Sequence, residues 1–162
     1  HPRSVAKLFE TEVPEIQSGI VEVKAIAREA GLRTKIAVSS KEDGVDPVGS
    51  LVGQKGIRVG TVISELGGEK IDIIEWREDT EEFIAKSLSP AKVLEVEINN
   101  DKKEAKIKVA EDQLSLAIGK AGQNVRLAAK LTGYKIDIRS RTGETVASAS
   151  EEGDIADKTE KI

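Results

Sequence analysis

Apolar residues recur along this chain in two rhythms, one of three and four residues and one of two, and the order of those rhythms is itself repeated. Val5, Leu8 and Phe9 stand at helical spacing within residues 4–12, and Pro14 closes the segment. Val21, Val23 and Ala25 then alternate with Glu22 and Lys24, and after Gly31 the run Lys35-Ile36-Ala37-Val38-Ser39 predicts the partner strand of a hairpin. Asp46-Pro47 predicts a helix start with Val48, Leu51 and Val52 on its apolar side. Beyond Gly56, Val59, Val62, Ile63 and Leu66 predict a second helix that stops at Gly67-Gly68, and residues 71–76 predict a strand.

The same order returns. Asp79-Thr80-Glu81-Glu82 reads as a capping box before Phe83, Ile84 and Leu88, with Pro90 ending that helix. Leu94, Val96 and Ile98 alternate with Glu95 and Glu97, Asn99-Asn100-Asp101 turns the chain, and Ile107 and Val109 lie on the return strand. Helices on either side of Gly119 and Gly122 lead to a last strand over residues 134–139. Asp46 to Ile73 aligns with Asp112 to Ile138, at a spacing of 66 residues that becomes 65 after one deletion. Paired identities include Gly53/Gly119, Gly56/Gly122, Val59/Val125 and Ile71-Asp72-Ile73 with Ile136-Asp137-Ile138.

A long period met twice predicts tandem domains rather than a solenoid. The expected boundaries are 1–76 for the first, 77–140 for the second and 141–162 for a disordered acidic tail of Ser, Thr, Gly, Ala and acids. The expected class is α+β, each domain a three-stranded sheet packed on helices. Residues 76–80 make a short linker, so a nearly rigid tandem is expected. Domains this small bury only about 60% of their unfolded surface.

Composition narrows the chemistry. Phe9, Trp76, Phe83 and Tyr134 are all the aromatics, so the cores must be aliphatic and base stacking has few platforms. There is no Cys, and His1 is the one histidine, at an end expected to be mobile, which removes the parts for thiolate metal sites, zinc or imidazole catalysis. No cofactor is expected, and an enzyme ranks last. No apolar run reaches the roughly 20 residues of a membrane span and no signal peptide opens the sequence, so a soluble, cytoplasmic protein is expected. A chain that opens His1-Pro2 and lacks Met is expected to be a fragment. The net charge of -4 argues against nucleic-acid binding by a global positive field. Basic residues must then act locally: Lys55 and Arg58 at the first glycine pair, Lys120, Arg126 and Lys130 at the second.

The repeated device is Gly53-Gln54-Lys55-Gly56 and Gly119-Lys120-Ala121-Gly122, each between two helices. Glycines without Cβ let another chain approach the backbone. The following helix then aims unpaired N–H groups and its positive dipole end at that place, which suits a phosphodiester. A dinucleotide-binding loop would follow a strand, and a P-loop would have Ser or Thr where Ala121 stands. Tight helix packing is the bland alternative for one such turn; two copies in one setting favour single-stranded RNA. The candidate contacts are those eight turn residues with Arg58, Arg126 and Asn124, the last able to read a base edge. The four isoleucines of the two Ile-Asp-Ile triplets are expected to fill the cores rather than wall a base groove.

Each half resembles a KH domain of the prokaryotic (type II) arrangement, whose signature is an Ile/Val-Gly-x-x-Gly turn between helices and which clamps about four nucleotides there. Phe9-Glu10-x-Glu12-Val13-Pro14-Glu15-Ile16, Ile26-Ala27-Arg28-Glu29-Ala30-Gly31, Gly68-Glu69-Lys70-Ile71-Asp72-Ile73-Ile74, Leu88-Ser89-Pro90-Ala91 and Leu114-Ser115-Leu116-Ala117-Ile118-Gly119-Lys120 together resemble the tandem KH region of the NusA family of bacterial transcription factors over about residues 1–140. The resemblance implies binding of nascent, unpaired RNA, with effects on pausing, termination and antitermination. It implies RNA polymerase and other transcription factors as partners of the full-length protein, in which an N-terminal polymerase-binding domain and an OB-fold RNA-binding domain accompany the region of these 162 residues. The competing reading is a protein-interaction scaffold of KH-like modules without RNA binding, which the acidic balance fits and the intact glycines fit less well.

Overall fold

The first helix starts earlier than its apolar spacing requires, because Pro2 suits a first turn and His1 caps it. In the computed structural model, which describes residues 1–151 and 155–157, α1 spans Pro2–Glu12, and the His1 Nδ1 accepts from the Arg3 N–H at 3.2 Å. The His1 carbonyl also accepts from Arg28 Nη1 at 2.9 Å. Val13 precedes a proline and is extended, and Pro14 opens the short α2, Pro14–Gln17.

The chain divides into two units, His1–Arg77 and Glu78–Ile162. In the first, β1 (Val21–Glu29) pairs antiparallel with β2 (Arg33–Ser40), and a bulge between Val23 and Ala25 shifts the alternation midway. β2 is central and runs parallel to β3 (Lys70–Glu75). Parallel strands need a crossover, and α3 (Pro47–Val52) with α4 (Ile57–Glu65) supplies it, carrying the first glycine turn at its middle. Phe9, Ile36, Val38, Leu51 and Val62 are fully buried in one cluster. Each such side chain contributes about 1.5–3 kcal/mol by leaving water.

This unit also buries charges that no apolar rhythm announces. Glu69, 1% exposed, accepts from Arg28 Nε at 3.0 Å and Nη2 at 3.0 Å, from the Gly31 N–H at 2.8 Å and from the Thr34 hydroxyl at 2.5 Å. Burial alone would raise its pKa, but the Arg28, Thr34 and Gly31 bonds outweigh it and the net direction is down. One Asp72 oxygen takes Arg33 Nε at 2.8 Å and Lys35 Nζ at 2.8 Å. Burial of Lys35 pulls its pKa down to about 8, partly opposed by the Asp72 charge.

The second unit repeats the plan. α5 (Thr80–Ser87) is capped by Asp79, which accepts from the Glu81 N–H at 2.9 Å. β4 (Glu95–Asn99) and β5 (Glu104–Lys108) form the hairpin, and α6 (Leu114–Ile118) and α7 (Gln123–Thr132) cross over to β6 (Lys135–Arg139), parallel to β5. α7 ends at Gly133, whose φ of +77° is the left-handed close of a helix. Ile84, Leu88, Ile107, Val125, Ile136 and Ile138 centre this core, and the many alanines around them allow close packing.

The unstructured tail expected from residue 141 is corrected here. A tight turn, with the Gly143 N–H bonded to Ser140 O and the Ser140 N–H to Glu144 O at 2.9 Å each, brings back β7 (Thr145–Ala149) against β6. β8 (Ile155–Asp157) pairs with β7, so the three-strand motif β4-β5-β6 becomes a five-stranded sheet. Ala147 and Ala149, at 0% and 1% exposure, explain the strand: alternate residues are small enough to join the core without looking hydrophobic in composition. The rest of that expectation, residues 152–154 and 158–162, lies outside the described residues. No helix among the described residues is long and apolar enough to cross a membrane.

Candidate nucleic-acid interface

The two glycine turns adopt one conformation. Gly53 has φ/ψ of 75°/174° and Gly119 79°/167°, a region that only glycine occupies without strain. Each N–H closes the preceding helix, bonding Gly49 O at 2.9 Å and Ser115 O at 2.8 Å. A Cβ on Gly53 would lie 2.7 Å from Arg58 Cγ and 3.0 Å from the Arg58 nitrogen, and one on Gly119 would lie 2.7 Å from both Asn124 Cβ and the Asn124 nitrogen. Conformation and space therefore each demand the first glycine.

The middle of the turn is a single tight loop, in which the Gly56 N–H reaches Gly53 O at 3.1 Å and the Gly122 N–H reaches Gly119 O at 3.0 Å. Lys55 and Ala121, equivalent positions, are both left-handed at φ 55° and 54°, and Gly56 and Gly122 follow at φ 74° and 73°. Gln54, Lys55, Lys120 and Ala121 are exposed. α4 and α7 start at these glycines with no side-chain cap; the Ile57 and Gln123 N–H groups close back on Gln54 O and Lys120 O, and the positive end of each helix dipole faces the turn. Such a site can attract an anion by the helix dipole, with exposed Lys55 or Lys120 alongside.

Three expected contacts already have partners within the chain. Asn124 is fully buried, and its Nδ2 donates to Leu88 O and Ala117 O at 3.0 Å each, so it cannot read a base edge. Arg58, at the same distance from its glycine, donates from Nη1 to Ser50 O at 2.7 Å and to Glu15 Oε1 at 3.0 Å. Arg126 donates from Nη1 to Ala121 O at 3.0 Å and braces the second turn. Glu15 was legible only as part of the Phe9-to-Ile16 motif and not as a site residue, because nothing in the sequence pairs it with Arg58. Ile136 and Ile138 are fully buried, and Ile71 and Ile73 are half-buried against the first core.

Two α+β units of this topology, each with a Gly-x-x-Gly turn between crossover helices, define a pair of KH domains. The sequence matches the NusA-like first KH domain over residues 1–76 and the NusA-like second KH domain over residues 80–145. The chain belongs to the NusA family. It is 58% identical over 142 residues to the transcription termination/antitermination protein NusA of Bacillus subtilis, covering 88% of this chain and 38% of that protein. The NusA protein of Thermus thermophilus is 51% identical over 156 residues, covering 94% of this chain and 40% of that one. The chain thus spans about two fifths of the length of these relatives. Among solved structures it resembles the crystal structure of APE1850, with a TM-score of 0.56 and 28% identity over 85% of this chain and 97% of that one.

Proposed function

We propose that this chain is the RNA-holding part of a transcription termination/antitermination factor. In this reading each Gly-x-x-Gly turn grips a few nucleotides of nascent, unpaired RNA, and RNA polymerase and other transcription factors are partners of the full-length protein. The observation that supports it is the pair of matching left-handed turns, each opening an uncapped helix behind exposed Gln54-Lys55 or Lys120-Ala121. Main-chain donors recognise the ribose-phosphate strand without regard to sequence, and the scarcity of aromatics leaves little base stacking. The work is binding: holding the transcript extended biases which hairpins form, in the cytoplasm where transcription runs, with no bond made or broken.

The test is charge reversal at the two seats. Asp tolerates left-handed backbone better than most residues, so Gln54→Asp with Lys55→Asp, and Lys120→Asp with Ala121→Asp, should keep the fold. Each pair is expected to weaken binding of unstructured RNA about tenfold or more, and the four together to abolish it, with circular dichroism unchanged. Undiminished RNA binding by the folded quadruple variant would reject the clamp, and no RNA binding by the unsubstituted chain would favour the docking scaffold.

A further inference from the structure

The residue five places after the first glycine performs the same task in both units with different chemistry. In the second, neutral Asn124 ties Ala117 O, in the helix before the turn, to Leu88 O, just before Pro90 at the end of the unit's opening helix. In the first, Arg58 ties Ser50 O, again in the helix before the turn, to the Glu15 carboxylate, just after Pro14. The neutral lock is sealed inside the protein. The ionic one keeps 31% exposure at Arg58 and 30% at Glu15, and both line an open groove of about 690 Å³ together with Gly53, Gln54 and Ile57.

A phosphate arriving at the first turn therefore meets a cation already matched to a carboxylate. Only Nη1 makes these bonds; among the described residues Nε and Nη2 make none, which leaves part of the guanidinium fork for an anion. A half-buried pair that still meets water is only modestly stabilising, whereas guanidinium and phosphate make strong two-point contacts, so exchange of one acid for the other is feasible. We propose that Glu15 is an electrostatic gate on the first loop, holding Arg58 until an RNA phosphate displaces it and making this loop the weaker of the two grips. Asp46, which lines the same groove, adds to the repulsion.

The proposal rests on the RNA-holding reading, and the experiment separates the two. Binding of an unstructured RNA of about 10 nucleotides, enough for two modules at about four each, is measured at low salt on the whole chain carrying Lys120→Asp and Ala121→Asp, so that the first loop reports alone. Adding Glu15→Gln, which removes the charge and keeps the shape, is expected to tighten binding about threefold, the range of one exposed ion pair. Adding Glu15→Asp, which keeps the charge, should leave affinity near that of the Lys120→Asp, Ala121→Asp parent. If Glu15→Gln leaves affinity unchanged or weakens it, or if Glu15→Asp tightens binding equally, the gate is wrong while the RNA reading stands. Absence of RNA binding by the unsubstituted chain overturns both.

Discussion

Gly53 and Gly56 look interchangeable in the motif and are not. At Gly53 a side chain meets both a forbidden backbone region and Arg58 at 2.7 Å, whereas around Gly56 there is open space and only the left-handed φ of 74° to oppose it. Gly53→Ala is therefore expected to cost more than about 2 kcal/mol, and Gly56→Ala about 1 kcal/mol, measured by urea unfolding. The motif made the turn itself legible, since two glycines at fixed spacing after an apolar helix have few structural uses. The roles of Arg58 and Asn124 were not legible. A polar side chain near a candidate loop reads as a contact, and only packing reveals that this position ties the loop to the helix before it.

The strands carry the second lesson. The hairpins, crossovers and Gly-terminated helices follow from periodicity, but β7 escaped because Thr-Val-Ala-Ser-Ala has alternation without bulk. The Thr142-Gly143 turn was the available signal. Pairing of β2 with β3 likewise decides what the buried charges do, since it sets Lys35 opposite Asp72. Lys35 has a folded pKa of about 8, below its ordinary 10.5, so between these values the unfolded chain binds more protons and stability rises with pH. Melting temperature followed from pH 8 to 10 should climb more steeply in the native chain than in Lys35→Met; equal slopes would contradict the shift. Glu69 has the opposite window. Its lowered pKa gives stability that is complete above the ordinary 4.5 and is lost as pH falls through the folded value, and Glu69→Gln should flatten that acid limb.

For the molecule as a whole, the proposed reading makes duplication turn a weak grip into a useful one: were one loop to hold RNA, the tether between the units would present the other at an effective concentration on the order of millimolar. Affinity should therefore rise steeply as an unstructured RNA grows from about 5 to about 10 nucleotides, and the rise should flatten when either loop carries its paired Asp substitutions, as read by fluorescence anisotropy. A smooth rise in both would mean that the loops act singly. The net charge of -4 suits the proposal, because RNA binding without a general positive field would have to depend on local seats.

The sequence repeat stops at Ile138, yet the second unit borrows its finish from beyond that point. Cutting the chain where the resemblance between halves ends would strip Ala147 and Ala149 from their places and leave the backbone of Ile136–Ile138 unzipped along one side. Bare, apolar ribbon of that kind recruits neighbouring molecules. A protein trimmed at residue 140 should clump on concentration, and poor solubility would then be mistaken for a failure of the domain itself.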